Sequence, residues 1–402
     1  MSRRPLLPLP PIPVYLTQRV GVAFGLACFL TYANVRRATD LGFDAFDLGL
    51  VGSVLALSAF LFELPTGAVA DIFGRRLSMI AGFTAIGVGF AIETASSALA
   101  GVLLAQGTFG LGWALISGAR AAWLADEIGE MRFTPVYLRA AQLGHVGSLG
   151  GIAMAGVLVQ VSLVLPLAVG AVTLLGVSLF VVLCMTEAGF EPTPGESSVA
   201  RTLVSGLAEV RSHRAAATVV AAEVFLGGAG EVFDRLWQLH LLEIMDGGVL
   251  PLLGLTWFAI IDGAAIALAI PALAYTRRWV VPERLHRLSR LLAGLQAGAT
   301  CAGGIFALAS SFPLAAVSWL SFVVLRRTVN PLSTAWINQQ LDPRVRATVM
   351  SIVNQATALG EAGAAPLGGA LERAYGLLKA LLLGAGLTTP ALGLFVRASH
   401  KK

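Results

Sequence analysis

Acidic residues occur inside long apolar stretches of the chain, where they are suited to bind protons. Glu223, Glu231 and Asp234 lie in one such stretch, and at about 100° per residue they fall within about 80° of one another on a helix. Asp262 and Glu361 stand near the middle of two further apolar stretches. Carboxylates clustered away from water resist ionisation, because desolvation and mutual repulsion both oppose the charged form. We therefore predict that these five residues are proton-coupling groups.

Arginines occur in similarly apolar surroundings. Arg120 shares a helical face with Trp113 and Ser117, and Asn330 follows Arg326 by one turn. Because an arginine in such a place needs a partner, Arg326 is predicted to pair with one carboxylate from the set Asp234, Asp262 and Glu361. The alternative for each charged residue is a structural ion pair that only fixes the rotation of its helix.

Other polar and aromatic residues complete a predicted cavity lining. Gln142, His145 and Ser148 recur every three residues, and Asn354 shares a helical face with Glu361. His145 is suited to proton transfer near neutral pH, although an isolated histidine is more often a hydrogen-bonded packing residue. Tryptophan rings stack on aromatic or cationic ligands. The predicted cavity set is Arg120, Trp113, Ser117, Gln142, His145, Trp257, Arg326, Asn330, Trp336 and Asn354.

Several kinds of chemistry are missing from the sequence. No Gly-rich nucleotide loop ending in Gly-Lys-Ser/Thr is present, and neither a His-Glu-x-x-His nor a Gly-x-Ser-x-Gly pattern occurs. The three cysteines, Cys28, Cys184 and Cys301, lie singly in apolar stretches, which favours neither a disulfide framework nor a metal site. We expect no enzyme activity and no cofactor.

The composition identifies the elements that must position these residues. Of 402 residues, 56% are hydrophobic and 13% are charged, whereas soluble domains carry about 25% charged residues. At about 20 apolar residues per span, this length fits about twelve transmembrane helices. The 45 glycines support this interpretation, because small residues allow membrane helices to approach closely.

Breaks at charged, proline and glycine residues divide the chain into two six-helix halves. The predicted domains are an N-terminus (1–13), a first bundle (14–186), a linker with an amphipathic helix (187–213), a second bundle (214–396) and a tail (397–402). The predicted spans are 14–35, 46–69, 77–97, 101–125, 136–159, 163–186, 214–241, 250–275, 288–310, 313–339, 347–370 and 376–396. The predicted fold is all-α.

Basic residues report the orientation in the membrane. Most of them fall in loops on the side of the two termini, and the opposite side has little more than Arg36, Arg37 and Arg373. The positive-inside rule therefore places both termini and the linker in the cytoplasm. The pI near 9.4 is explained by this topology, so nucleic acid is not an expected partner. The N-terminus carries no persuasive signal-peptide cleavage site and is expected to be retained.

Residues after the second span resemble a known family signature. Gly67, Asp71, Gly74, Arg75 and Arg76 have the spacing of the cytoplasmic motif of the major facilitator superfamily. Faint repeats between the halves agree with the parallel repeats of that class. The resemblance implies a transporter that works by alternating access around a central cavity. We expect it to act as a monomer in the bacterial inner membrane and to move a small molecule. We predict that these five residues latch the two halves together on the cytoplasmic side when the outside is open. Asp71 is expected near the start of the eleventh span, where the helix N-terminus favours a carboxylate by about 0.3 to 1 kcal/mol; the alternative is a solvated turn whose arginines only set topology.

Two departures from the family bear on mechanism. Gln106 stands where many members carry an arginine in the fourth span, so that charge is not supplied there. The fifth span has five glycines, Gly144, Gly147, Gly150, Gly151 and Gly156, without the accompanying proline of antiporters, and this partial match favours export. The leading hypothesis is proton-coupled efflux of small, partly apolar compounds. The alternatives are uptake of a metabolite or anion by symport or facilitated diffusion, and a non-transporting membrane sensor.

Overall fold

The computed structural model describes residues 5–190, 210–211, 213–246, 254–276, 285–341 and 346–399. The predicted amphipathic linker helix, with Arg201, lies outside these residues except for its last turn. Arg277, Arg278, Arg284 and Arg344, which are expected in cytoplasmic loops, also lie outside them.

The described chain is all-α, and no strand occurs in the ranges given above. Its helices are α1 (Pro11–Thr39), α2 (Ala45–Phe73), α3 (Arg75–Ala95), α4 (Leu99–Ser117), α5 (Ala119–Ile128), α6 (Glu130–Leu158), α7 (Val164–Cys184), α8 (Arg214–Asp246), α9 (Thr256–Thr276), α10 (Leu285–Leu308), α11 (Phe312–Asn338), α12 (Arg346–Tyr375) and α13 (Leu377–Ser399). The predicted spans correspond to these helices, with the fourth divided into α4 and α5.

Eleven spans are long and apolar enough to cross a membrane, by length and composition alone, among the described residues. The twelfth helix, α12, has 30 residues but is less apolar, because it contains Asn354, Glu361, Glu372 and Arg373. Polar residues of this kind mark a helix that faces protein or a cavity rather than lipid. The fold is that of a membrane protein with twelve transmembrane helices.

The turn between α2 and α3 requires glycine. Gly74 has φ +107°, a conformation that L side chains rarely adopt, and the backbone oxygen of Ala70 accepts a hydrogen bond from its amide at 3.2 Å. This turn places Arg75 at the first position of α3 directly after α2 ends at Phe73. The signature residues are therefore held in a short, fixed connection.

The described helices belong to two compact units. The first comprises Met1–Gly42, Val54–Glu196 and Leu255–Gly263. In it, α1 packs closely on α6, since a Cβ on Gly147 would lie 2.5 Å from the carbonyl oxygen of Val20. Its aromatic core includes Phe29 and Phe90, whose rings stack with centroids 3.6 Å apart. Small residues thus set the helix spacing and aromatic residues fill the interior.

The second unit comprises Phe43–Ser53, Ser197–Gly254 and Ala264–Lys402. Helices α8 and α12 make close backbone contact in it, because Gly227 faces the carbonyl of Thr357 and Gly360 faces that of Val224. Trp237 stacks on Trp319 at 5.0 Å. This close approach brings the acidic residues of α8 within range of those of α12.

Candidate functional site

A cluster of charged side chains occupies α8, α11 and α12 of the second unit. Its centre is the pair Asp234 and Arg326: Arg326 Nη1 lies 3.1 and 3.0 Å from the two carboxylate oxygens, and Nη2 lies 2.9 Å from Oδ2. Gly230 makes room for this geometry, since a Cβ there would lie 2.6 Å from Arg326 Nη2. The predicted pairing of Arg326 with a carboxylate is confirmed, and Asp234 is its partner.

A second ion pair lies on α8 itself. Arg235 Nε donates to Glu231 Oε1 at 2.6 Å, and both side chains are largely buried. Gly52 of α2, which belongs to the same unit, faces this pair, and a Cβ on Gly52 would contact Glu231 Oε1 and lie 2.7 Å from Arg235 Nε. Glycine at this position therefore admits the ion pair between the helices.

Two more carboxylates approach the same arginines. Glu361 of α12 interacts electrostatically with Glu231, Arg326, Asp234 and Arg235. Glu223 accepts a hydrogen bond from Thr357 Oγ1 at 3.3 Å and also lies within electrostatic range of Arg326. Together with the two ion pairs these groups form the acidic cluster, which consists of Glu223, Glu231, Asp234, Arg235, Arg326 and Glu361.

The acidic cluster has an excess of negative charge. It contains four carboxylates and two arginines, so its formal charge with every group ionised is −2. Both arginines are engaged by Asp234 and Glu231. Glu361 consequently lies within electrostatic range of two other carboxylates, those of Glu231 and Asp234, which repel its charged form. Such an arrangement favours binding of a proton.

A narrow pocket adjoins Arg326 in the same unit, with room for about one water molecule. It is lined by Leu226, Ala229, Gln296, Ala299, Phe322, Arg326, Val329, Asn330 and Thr388. Arg326 and Asn330 of the predicted cavity set thus share one concave surface.

The remaining predicted residues of the second unit lie apart from this pocket. Trp336 is 6% exposed and packs in an apolar core with Leu332 and Ile337. Asn354 is exposed on α12.

The predicted residues of α9 belong to the first unit. Trp257 and Asp262 both fall within Leu255–Gly263. Asp262 acts electrostatically on Tyr32, whose hydroxyl donates to the carbonyl oxygen of Leu255 at 3.1 Å. Asp262 is therefore placed near Tyr32 of α1 in the first unit.

Polar residues predicted on α4, α5 and α6 are also in the first unit. Trp113, Ser117, Gln142 and His145 are exposed on their helices. Arg120 lies in the first turn of α5 beside Arg19, Tyr15 and Tyr137. The structure thus divides the predicted cavity residues between two regions, one in each unit.

The signature loop is held by ion pairs inside the first unit. Arg75 pairs with Asp71 and also approaches Asp126 Oδ2 at 3.4 Å. Glu187 Oε1 accepts a hydrogen bond from the backbone amide of Arg76 at 2.9 Å. A Cβ added to Gly67 would meet no other described atom within 4 Å. The described contacts of Asp71 therefore fix the α2–α3 connection, and the latch role of the loop remains a prediction.

One buried network was not predicted from the sequence. Arg37 forms two parallel hydrogen bonds with Glu93, Nε to Oε1 and Nη2 to Oε2, both at 2.8 Å, and its Nη1 donates to Asn34 Oδ1 at 2.7 Å. Arg36 donates to the carbonyl oxygen of Glu93 at 2.9 Å. Placing Arg36 and Arg37 in an outer loop was wrong, because α1 extends to Thr39 and both side chains are buried, 5% and 1% exposed. The sequence feature that could have indicated this network is Glu93, an acidic residue within an otherwise apolar segment.

Comparisons with known proteins agree with this architecture. Residues 16–365 match the family model of the Major Facilitator Superfamily. The MFS-type transporter YxaM of Bacillus subtilis (strain 168) is 21% identical over 340 residues, which is 83% of each chain. The crystal structure of the nucleoside transporter NupG has a TM-score of 0.76 at 14% identity and covers 98% of this chain and 100% of that one.

A POT family transporter crystallised with 5-aminolevulinic acid also has a TM-score of 0.76, at 15% identity, covering 96% of this chain and 95% of that one. These structural likenesses show that the chain has the same fold. The chain belongs to the Major Facilitator Superfamily and is a multi-pass membrane transporter of small molecules.

Proposed function

We propose that this protein is a proton-coupled secondary transporter that exports small, partly apolar compounds by alternating access. The observation that carries the proposal is the acidic cluster, in which four carboxylates share two arginines. A cluster with this excess charge is suited to exchange a proton with each side of the membrane in turn.

Glu361 is the proposed proton carrier. Asp234 and Glu231 already neutralise the two arginines, so protonation of Glu361 removes its repulsion with both carboxylates. Its loss of a proton restores that repulsion and strengthens the attraction of Glu361 for Arg326. The two protonation states therefore stabilise different arrangements of α8, α11 and α12. Glu223, which Thr357 holds, is the second candidate.

The membrane potential supplies enough free energy for this cycle. One charge moving through 100 mV contributes about 2.3 kcal/mol, equivalent to about a 50-fold concentration gradient. A proton entering from outside would release the cargo there, and its departure inside would reset the site. In this scheme the termini are cytoplasmic, the membrane is the bacterial inner membrane and the protein acts as a monomer.

The direction of transport is the finer part of the proposal. The glycines of α6 favour export, while uptake of an anionic metabolite is the second candidate, which the positive charge of Arg120 and Arg19 favours. Comparing substrate accumulation in whole cells with that in everted vesicles separates the two. Export predicts proton-driven accumulation in everted vesicles only.

The experiment that tests coupling is a flux assay with a matched pair of variants. Glu361→Gln removes the proposed proton carrier, and Glu243→Gln makes the same change at an exposed position of α8. We expect proton-dependent flux to be lost in the first variant and retained in the second. Flux that ignores pH and potential in the wild type would overturn the proposal. If the wild type showed no flux and neither substitution had an effect, the alternative of a non-transporting membrane sensor would be favoured.

A further inference from the structure

A group of donor-bearing side chains lies between α1, α5 and α6 of the first unit. Its centre is Arg120, in the first turn of α5. The groups that act electrostatically on its guanidinium are Arg19 and Tyr15 of α1 and Tyr137 of α6. The ion pairs of the described residues include neither Arg120 nor Arg19. This region therefore carries two positive charges without a carboxylate.

Arg120 has unused hydrogen-bonding capacity. Its Nη1 is shielded from solvent and has no hydrogen-bond partner in the described part of the chain. A guanidinium offers five N–H donors, and leaving one buried and unpaired is costly because its hydration is lost without replacement. The neighbouring charge of Arg19 adds repulsion to that cost. The protein alone does not complete this site.

Gln18 provides a second unsatisfied group on the same helix face. It follows Tyr15 by three residues and precedes Arg19, so the three side chains project from adjacent positions of α1. Gln18 is 0% exposed, and neither its Nε2 nor its Oε1 has a hydrogen-bond partner among the described residues. The Gln18 amide and one nitrogen of Arg120, both in the first unit, thus lack hydrogen-bond partners among the described residues.

The position of Arg19 suits a site reached from one membrane surface. Arg19 lies about 12 Å along α1 from the first residue of that helix, at a rise of about 1.5 Å per residue. Gly144 of α6 faces it, and a Cβ there would lie 3.7 Å from Arg19 Nη2. Tyr137, on the same helix, is exposed. One side of the group is therefore open while Arg120 Nη1 and Gln18 are enclosed.

We infer that Arg120, Arg19, Gln18, Tyr15 and Tyr137 form a subsite for an anionic group of the cargo. A carboxylate or phosphate supplies acceptor oxygens for Arg120 Nη1 and Gln18 Nε2, and it cancels the repulsion between the two guanidinium groups. The inference rests on the proposed function for its cargo, and it names the chemical class of that cargo. It does not depend on the direction of transport.

Binding is tested without transport, by thermal unfolding of the full-length chain in lipid-free detergent at pH 7. The probes are sodium benzoate and inorganic phosphate, each against sodium chloride at equal ionic strength. Because a ligand that binds only the folded state stabilises it, we expect either probe to raise the unfolding midpoint by about 2 to 4 °C. No shift with either probe would overturn the inference.

Arg120→Gln gives the sharper result, because an anion subsite and a purely structural role for Arg120 predict opposite changes in the unfolding midpoint. As an uncompensated charge, Arg120 destabilises the unliganded protein, so its neutralisation is expected to raise the midpoint while abolishing the response to anions. A lower midpoint with the response retained would overturn the inference. Arg19→Gln is the second variant, and it is also expected to lose the response to anions. Arg139→Gln, at an exposed position of α6, is the matched control and is expected to retain that response.

Two further arms assign the source of the anion and separate this inference from proton coupling. Adding phosphatidylglycerol to the micelles distinguishes a lipid headgroup: a response to that lipid but to neither soluble anion would overturn a cargo site. Glu361→Gln is expected to keep the response to benzoate while losing proton-dependent flux. In the wild type, absence of proton-dependent flux with anion binding intact would refute only the coupling proposal, and absence of anion binding with flux intact would refute only the anion subsite.

Discussion

Gln106 Nε2 donates a 2.6 Å hydrogen bond to Glu93 Oε2, the carboxylate that Arg37 holds from α1. By the family resemblance, Gln106 stands where many members are expected to carry an arginine; here Arg37 of α1 supplies a positive charge to Glu93. Arg37 and Glu93 are 1% and 0% exposed, so this network satisfies a buried charge with another buried charge. The departure from the family pattern at Gln106 is therefore compensated within the first unit.

Removing either member of this buried pair is predicted to be strongly destabilising. Arg37→Gln leaves the Glu93 carboxylate without its counter-ion, and losing one partner of a buried pair costs about 3 to 5 kcal/mol. Unfolding of the purified protein by heat or denaturant measures this loss. Arg397→Gln, an exposed substitution near the end of α13, is the control and should leave stability nearly unchanged.

A charge relocation tests the compensation itself. Gln106→Arg alone is predicted to destabilise the protein, because it adds a second buried cation to a carboxylate that Arg37 already neutralises. Combined with Arg37→Gln, the same change should recover much of the stability lost in the Arg37 single variant. Additive losses in the double variant would show that the two positions do not share one charge requirement.

The pair Asp234 and Arg326 is predicted to be needed for transport more than for stability. Their side chains are 44% and 32% exposed, so solvent screening limits the stability loss in Asp234→Asn to about 1 kcal/mol or less. Proton-dependent flux should nevertheless fall at least about tenfold, because Arg326, without its ion-pair partner, then attracts the proposed carrier Glu361 more strongly in its charged form. Flux assays at matched membrane abundance make the comparison, and normal flux in Asp234→Asn would exclude this role.

The first residues of α2 are tied to the end of α12 within the second unit, and this contact is predicted to depend on pH. Asp44 Oδ1 accepts from the amide of Asp47 at 2.9 Å, and Arg373 Nε donates to Asp44 Oδ2 at 2.6 Å. Burial alone raises the pKa of Asp44, but the hydrogen bond from Arg373 and those from backbone amides outweigh it, so the pKa lies below its ordinary value of 3.8.

The lowered pKa of Asp44 determines how the stability of the folded protein changes with pH. A carboxyl group with a lowered pKa in the folded protein contributes stability fully above its ordinary pKa, and the contribution is lost as pH falls through the folded value. Asp44→Asn should therefore be less stable than the wild type at neutral pH, with a difference that shrinks below about pH 4. Unfolding midpoints across this range provide the measurement, and a difference that is constant with pH would contradict it.

The signature loop offers a test of the predicted latch. Asp71→Asn removes one of two carboxylates that engage Arg75, while Asp126→Asn removes the other. A latch role predicts that Asp71→Asn changes the balance of inward and outward accessibility, measured by labelling of single cysteines on each membrane side. If both variants behaved alike and left accessibility and transport unchanged, the loop would be only a solvated turn that sets topology.

The sequence predicted the helices well because membrane spans require long apolar runs. The acidic residues of α8 were placed on one face by spacing alone, and their meeting with Arg326 followed from the cost of an unpaired charge. We predicted that Asp262 belongs to the same group of proton-coupling residues. Its position near the middle of an apolar stretch did not indicate that it belongs to the first unit. The network of Arg37 and Glu93 was missed because an arginine at a span end looks the same in sequence whether it enters a loop or turns inward.

The distribution of Arg120 and its neighbours shows a different limit. The place of Arg120 within an apolar segment identified it as a residue needing a partner, but the sequence named no partner for it. The structure surrounds it with Arg19 and two tyrosines instead. The neighbours of Arg120 depend on which helices pack against α5, and no local sequence pattern indicates that packing.

Proton coupling through Glu361 is tested most directly by proton-driven flux in everted membrane vesicles, comparing the wild type with Glu361→Gln and Glu243→Gln. Substrate accumulation that rises with an imposed proton gradient, disappears in Glu361→Gln and persists in Glu243→Gln is the predicted result. Equal, gradient-dependent accumulation in all three proteins would contradict the assignment of Glu361 as the proton carrier, and accumulation indifferent to the gradient in the wild type would contradict proton coupling altogether.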